Sequence, residues 1–150
     1  MKKFLLLLII PFLSFGQGWE QTFGGTGSDV GYSVQQTIDG GYIITGNQEF
    51  GGIYLLKTNE SGGEEWLQTF SGHSGRSVQQ TLDGGYIVSG SSTITPNESF
   101  FIIKTNANGN EEWSQTFSGN YNQRSFSVQQ TFDGGYIIAG EINYDNVIPD

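Results

Sequence analysis

The chain contains no cysteine and one histidine among its 150 residues. Without thiols it has no disulfide framework, no cysteine-based metal site and no thiol catalysis. The single His73 precedes Ser74, Gly75 and Arg76, so the Gly-x-Ser-x-Gly pattern of a hydrolase elbow fails at Arg76. A Ser-His-acid triad needs a histidine base held by an acid, and no second histidine is available. The sequence therefore predicts a protein that is not an enzyme and has no catalytic residues.

Basic residues are also scarce. Six lysines and arginines stand against fifteen aspartates and glutamates, for a formal net charge of −9 at pH 7. Nucleic-acid binding needs a cationic surface that displaces counterions from phosphates, so this composition excludes it. Glycine is abundant, with 23 residues, and aromatic residues make up 14% of the chain. This combination is typical of all-β proteins with many tight turns, and the aromatic content argues against a disordered acidic chain.

Long apolar runs are absent from the sequence after the first sixteen residues. Two lysines precede a mostly apolar segment at residues 4–15, which Pro11 interrupts. This segment is shorter than the roughly 20 residues that cross a bilayer as a helix. The basic start, the apolar centre and the small residues at the end predict a secretory signal peptide over residues 1–16, cleaved before Gln17. We therefore expect an exported mature chain, residues 17–150, with no membrane span.

Three sequence blocks recur along the mature chain. The first is Ser-Val-Gln-Gln-Thr-x-Asp-Gly-Gly-Tyr-Ile followed by isoleucine or valine, the second is Trp-x-Gln-Thr-Phe, and the third is two apolar residues followed by Lys-Thr-Asn. Matches of this length establish an internal repeat, which is the first property to settle when a fold is predicted. The copies lie at residues 33–44, 77–88 and 127–138, at residues 19–23, 66–70 and 113–117, and at residues 55–59 and 102–106.

Each repeat is interpreted as four short strands, a to d. Strand a is the Ser-Val-Gln-Gln-Thr segment, strand b is Gly-Tyr-Ile-Ile, strand c is the Lys-Thr block, and strand d contains the tryptophan. The Asp-Gly pair between strands a and b predicts a hairpin with a type I′ turn. Successive tryptophans are 47 residues apart. An all-β fold of β-propeller-like, four-stranded antiparallel blades fits this period, and a β-solenoid is the alternative.

The strand count predicts an incomplete, open arc. The repeat units are residues 19–65, 66–112 and 113–150, and they supply two full blades and three further strands, beginning with a strand at residues 19–23. A propeller closes with roughly four to eight blades. We therefore expect a fragment of a larger protein whose further blades are its partners. The isolated chain is expected to associate or to fold marginally, because open blade faces expose apolar patches.

The connections d-to-a and b-to-c differ in length between repeats and emerge on one side of a blade. Loops of variable length commonly carry function, so this side is the candidate working face. For the arginines and tyrosines there we consider a carboxylate-binding or sugar-stacking role. The structural alternatives are ion pairs for the arginines, a turn cap for the aspartate and a polar loop position for the histidine. The candidate ligand-binding residues are Asp29, Tyr32, His73, Arg76, Tyr121 and Arg124.

Other candidate motifs have structural interpretations. Adjacent carboxylates such as Glu64-Glu65 and Glu111-Glu112 point to opposite faces of a strand, so they do not converge on one bond. The Asn-rich turns lack the bidentate glutamate of a calcium loop, since the twelfth position counted from Asn106 is Phe117. One tryptophan per repeat at a fixed position predicts a contact between blades. We expect no cofactor and no metal.

Together the pattern Trp-x-x-Thr-Phe-Gly-Gly-x-Gly-x-Asp-x-Gly, the Ser-Val-Gln-Gln-Thr block and the Lys-Thr-Asn block resemble bacterial secreted β-propeller repeats of the SBBP type over residues 19–141. The resemblance implies a protein that is secreted or on the outer surface of a Gram-negative bacterium, often through type IX secretion. The repeat, the export signal and the missing catalytic set favour a non-catalytic module for binding, adhesion or display, with an unknown glycan or protein as ligand. The alternatives are a structural spacer, or part of an exported polysaccharide- or peptide-degrading enzyme whose catalytic residues lie outside this chain.

Overall fold

The computed structural model describes residues 18–49, 52–71, 73–92 and 97–144, and the predicted signal peptide at residues 1–16 lies outside these ranges. The described residues form ten strands, and they contain no helix that is long and apolar enough to cross a bilayer. The strands are β1 (Val30–Gln36), β2 (Tyr42–Asn47), β3 (Gly52–Thr58), β4 (Glu64–Ser71), β5 (His73–Gln80), β6 (Tyr86–Ser92), β7 (Ser99–Thr105), β8 (Glu111–Phe117), β9 (Asn122–Gln130) and β10 (Tyr136–Asn143).

The strands form three sheets in chain order. Sheet 1 contains β1 to β4, sheet 2 contains β5 to β8, and sheet 3 contains β9 and β10. Every neighbouring pair is consecutive and antiparallel. The prediction of an all-β fold with four-stranded antiparallel sheets is therefore confirmed, and the arrangement of the sheets is open.

The predicted additional strand at residues 19–23 is wrong. The structure describes residues 18–25 without a strand. A strand is defined by hydrogen bonds to a neighbouring strand, and sheet 1 already has its four strands in the order β1 to β4. The described chain thus has two complete sheets and two further strands, where the sequence predicted three.

The hairpin between β1 and β2 also corrects the predicted turn type. Gly40 donates a backbone hydrogen bond of 2.9 Å to the Thr37 carbonyl, and its φ is +87°. Asp39 keeps a negative φ, as do all described non-glycine residues, which excludes a type I′ turn. The loop is a type I turn followed by a left-handed glycine. A left-handed aspartate would cost roughly 1–2 kcal/mol, so glycine takes that position alone. Gly84 and Gly134 repeat it with φ of +83° and +85°.

Consecutive sheets pack face to face through a repeated contact. β5 lies against β1, β2 and β3, and β9 lies against β5, β6 and β7. Trp66 of β4 meets Tyr86 of β6 edge to face, with ring centroids 5.7 Å apart. The pairs Trp113–Tyr136 and Trp19–Tyr42 repeat this geometry at 5.7 and 5.6 Å. Trp66 and Trp113 lie between sheets, as predicted, and Trp19 packs on sheet 1 without belonging to a strand.

A buried lysine ties together one end of each complete sheet. The ammonium of Lys57, on β3, lies 2.8 Å from Asp39 in the first hairpin and 2.8 Å from Glu65 on β4. It also donates a hydrogen bond of 2.9 Å to the Thr58 carbonyl. The Lys57 side chain is 3% exposed. In sheet 2, the same arrangement is formed by Lys104, Asp83, Glu112 and Thr105. The second glutamate of each Glu-Glu pair therefore has a structural role.

These ion pairs shift the pKa values of their members. Burial by itself lowers the pKa of Lys57, but its two carboxylate partners outweigh burial and raise it above 10.5. Hydrogen bonds from Lys57 and Thr37 lower the pKa of Asp39 from 3.8 to about 2, and Asp83 behaves alike beside Lys104. A carboxyl with a lowered pKa stabilises the fold above its ordinary pKa. That stabilisation is lost as pH falls through the folded-state value.

We predict that the double variant Asp39→Asn/Asp83→Asn unfolds at a lower urea concentration than the wild type at neutral pH. The difference should be constant above the ordinary pKa of 3.8 and should shrink as pH falls towards about 2, the folded-state pKa of both carboxyls. Urea unfolding at a series of pH values measures it. Asp133→Asn is the matched control, because Asp133 has the same turn but no lysine partner among the described residues. A loss in the double variant no larger than twice the loss in Asp133→Asn would contradict the role of the lysines.

Candidate binding site on the first strands

The first strand of each sheet contains a β-bulge at the same repeat position. In sheet 1, Gly31 pairs with Gly46 and Ser33 pairs with Thr45, so Tyr32 between them has no partner on β2. Arg76 on β5 and Phe126 on β9 are the equivalent extra residues. Bulges redirect side chains and are common next to functional sites. The bulged positions therefore place a tyrosine, an arginine and a phenylalanine on successive first strands.

A glycine on the second strand makes each bulge possible. A Cβ atom on Gly90 would lie 1.8 Å from the Ser74 carbonyl oxygen on the bulged strand. A Cβ on Gly46 would approach the Val30 carbonyl oxygen to 1.8 Å, and one on Gly140 the Arg124 carbonyl oxygen to 2.1 Å. No real side chain fits at such distances, so the backbone crowding at the bulge requires glycine.

The structure brings together two of the predicted site residues, Tyr32 and Arg76. The guanidinium carbon of Arg76 lies 4.3 Å from the centroid of the Tyr32 ring, which is a cation–π contact between neighbouring first strands. Tyr32 is 42% exposed, and Arg76 is half-buried. In the described part of the chain no carboxylate forms an ion pair with Arg76. Its N–H donors are therefore available to a ligand.

The second arginine among the predicted site residues, Arg124, forms ion pairs within the chain. Arg124 lies 2.5 Å from Glu98 and 3.5 Å from Glu141, and the hydrogen bond to Glu98 and the charges of both carboxylates raise its pKa further. The Tyr121 ring packs against Tyr144, with centroids 4.6 Å apart. Arg124 thus has the ion-pair role that was the structural alternative to ligand binding. Tyr121 packs against another aromatic ring, that of Tyr144.

The remaining two candidates are a turn residue and a strand terminus. The Asp29 carboxylate accepts a hydrogen bond of 2.7 Å from the backbone N–H of Gly25, which is a turn cap. Asp29 also lines a pocket of about 270 Å³ with Tyr54, whose pKa is raised by burial and by the Asp29 charge. His73 begins β5 and is paired with Ser92. Its side chain lies outside the described part of the structure.

Sequence analysis missed a cleft at the other end of the first strands. It has a volume of about 720 Å³ and is lined by the Gln-Gln-Thr segments of β1, β5 and β9 and by the hairpin tips. An exposed apolar residue at each hairpin tip lines this cleft. These residues are Ile38, Leu82 and Phe132, and their side chains are 95%, 81% and 107% exposed. The signal was present in the sequence, because the variable residue of Gln-Gln-Thr-x-Asp-Gly is apolar in all three repeats, where a turn normally carries a polar residue.

Comparisons with known proteins identify the fold alone. No protein-family profile matches the chain, and no curated protein matches it significantly. The chain is similar to a crystal structure, determined at 1.35 Å resolution, of a protein of unknown function from Bacteroides caccae. The TM-score is 0.55 with 15% sequence identity, over 77% of this chain and 45% of that protein. The chain therefore spans less than half the length of that protein.

We predict that Gly90→Ala destabilises the protein by about 1–3 kcal/mol, the usual cost of forcing an extra methyl group into a packed site. The added Cβ must displace the Ser74 carbonyl and so disturb the bulge that presents Arg76. Gly25→Ala is the control, because a Cβ there meets no atom within 4 Å. Urea unfolding of both variants measures the difference. Equal stability of the two variants would show that the glycine is not needed for the bulge.

Proposed function

We propose that the chain is a secreted or cell-surface module of β-propeller repeats, of the SBBP type, that binds a carboxylate-bearing glycan through Arg76 and performs no catalysis itself. Export is supported by the signal-peptide pattern at residues 1–16. The propeller interpretation is supported by four-stranded meander sheets that pack face to face in chain order with their first strands adjacent. The binding role depends on one observation, the Arg76 guanidinium stacked on Tyr32.

The Arg76 side chain is prepared for recognition. The contact with the Tyr32 ring holds the guanidinium carbon over the ring, 4.3 Å from its centroid, without using the N–H donors. A guanidinium binds a carboxylate through two parallel hydrogen bonds, which are stronger than bonds between neutral groups. The contrast with Arg124, whose guanidinium is taken by Glu98 and Glu141, makes Arg76 the candidate for ligand binding.

The neighbouring bulge residues favour a sugar. Tyr32 and Phe126 occupy the positions equivalent to Arg76 on the first strands before and after it, and they are 42% and 52% exposed. Exposed aromatic rings beside a charged group give a surface with apolar area for a sugar ring and donors for its carboxylate. The net charge of −9 disfavours polyanions at close range, so the site suits one carboxylate at a time.

We predict that Arg76→Gln weakens binding of a tetrasaccharide of three galactoses and one terminal galacturonic acid roughly 10- to 100-fold, since losing a charge-assisted hydrogen bond costs about 1.5–3 kcal/mol. Isothermal titration calorimetry of the purified protein measures the dissociation constant. Arg124→Gln is the matched control and should bind as the wild type does, because its guanidinium is already paired. The neutral galactotetraose should bind weakly to all three proteins. Equal affinity of Arg76→Gln and the wild type would disprove the proposed role.

A further inference from the structure

The two ends of the stack of sheets carry complementary surfaces. Within the chain, each junction buries a valine from the first strand of the later sheet against an isoleucine from the second strand of the earlier sheet. Val78 packs in one cluster with Ile43, and Val128 packs in another with Ile87. These valines are 6% and 3% exposed, and both isoleucines are 0% exposed. Burial of this pair is the apolar centre of every junction.

One valine and one isoleucine of the same series remain unburied. Val34 of sheet 1 is 64% exposed, and Ile137 of sheet 3 is 61% exposed. Val34 belongs to the face that the later sheet presents in each junction, and Ile137 belongs to the face that the earlier sheet presents. The two open faces of one chain are therefore the two halves of a junction that the chain already forms twice.

The polar contacts of a junction lead to the same conclusion. Val78 N–H donates to the Ser33 hydroxyl at 3.3 Å, and Gln80 N–H donates to the Gln35 side-chain oxygen at 2.6 Å. The junction of sheets 2 and 3 repeats both bonds, at 3.2 and 2.6 Å. In a third bond the donor is in the hairpin of the earlier sheet. Ile38 N–H donates to the Gln80 side chain at 2.9 Å in the first junction, and Leu82 N–H donates to the Gln130 side chain at 2.8 Å in the second.

The corresponding groups at the open ends make no bond between sheets within the described chain. On sheet 3 they are the side-chain oxygens of Ser127 and Gln129, and both residues are exposed. On sheet 1 they are the backbone N–H groups of Val34 and Gln36. A sheet 1 placed on a sheet 3 in the register of the existing junctions would pair these donors with these acceptors.

Sheet 3 lacks the fourth strand that supplies a tryptophan to the next sheet, but this does not prevent docking. In a junction, the fourth strand of the earlier sheet supplies the tryptophan that packs on the tyrosine of the later sheet, as Trp66 does on Tyr86. Sheet 3 has two strands in the described chain and no fourth strand. Sheet 1 does not need one, because Trp19 of its own chain already covers Tyr42 at 5.6 Å. Sheet 1 therefore carries the missing tryptophan with it.

From this complementarity we propose that a second copy of the chain docks its sheet 1 on sheet 3 of the first, head to tail, with Val34 of one copy against Ile137 of the other. The contact is heterologous, since each copy uses a different face, and such contacts form closed rings or open chains of subunits. The proposal is independent of ligand binding at Arg76. β9 and β10 supply two of the three strands that a later first strand contacts in the existing junctions.

The test uses one charge on each face. Val34→Asp and Ile137→Asp each place a carboxylate in the apolar centre of the contact, and both positions are more than half exposed in the single chain, so each variant should fold. Sedimentation velocity should show association of the wild type that increases with concentration. Each variant alone should be monomeric, with an association constant lowered roughly 100-fold or more. Circular dichroism melts confirm that both variants are folded.

Mixing the two variants distinguishes a head-to-tail contact from other association. The Val34→Asp chain keeps an intact sheet 3 face, and the Ile137→Asp chain keeps an intact sheet 1 face. An equimolar mixture should therefore form heterodimers and nothing larger. Leu82→Asp is the control: Leu82 is 81% exposed at a hairpin tip, outside both faces, and this variant should associate as the wild type does. A monomeric wild type, a mixture that stays monomeric, or dissociation by Leu82→Asp would each overturn the proposal.

Discussion

A fully buried ammonium group organises each complete sheet. Lys57 and Lys104 enter from the third strand, and an ammonium removed from water without partners costs several kcal/mol. Three acceptors must therefore reach it: a carboxylate from the first hairpin, a second from the fourth strand, and the carbonyl of the following threonine. The buried lysine also requires glycine at the second glycine of the Asp-Gly-Gly turn, because a Cβ on Gly41 would lie 2.6 Å from the Lys57 nitrogen.

This constraint explains why the two ends of the sheets differ. At the lysine end, the first hairpin and the fourth strand must hold fixed positions, so the hairpin loops keep one length in all repeats. At the opposite end no buried lysine ties the connections together among the described residues, and these connections vary in length. The bulges with Tyr32, Arg76 and Phe126 lie towards that freer end. Stability and the proposed recognition are thus assigned to opposite ends of the same strands.

The repeat also shows how much of the site could be predicted from sequence. Strand positions followed from the repeated blocks, and Arg76 and Tyr32 were among the candidates because they precede strand a in variable loops. Their direct contact could not be predicted, since it depends on the bulge that Gly46 and Gly90 permit. Arg124 looked equivalent to Arg76, but the register places it beside Glu98 and Glu141. The Asp-Gly pair also predicted a type I′ turn. The sequence cannot show that the Asp39 side chain is bound by Thr37 and Lys57.

What the sequence determined by itself is local: the strands, the hairpin sites, the left-handed glycine of each turn and the recurrence of the tryptophan. These depend on backbone conformation and on neighbours a few residues apart, which are the same in every copy of the repeat. Only the tertiary structure decided which arginine has no carboxylate partner among the described residues, which predicted strand does not form, and which of three equivalent valines is exposed. Those outcomes depend on partners one repeat away, and the repeats are equivalent in sequence but not in what lies beside them.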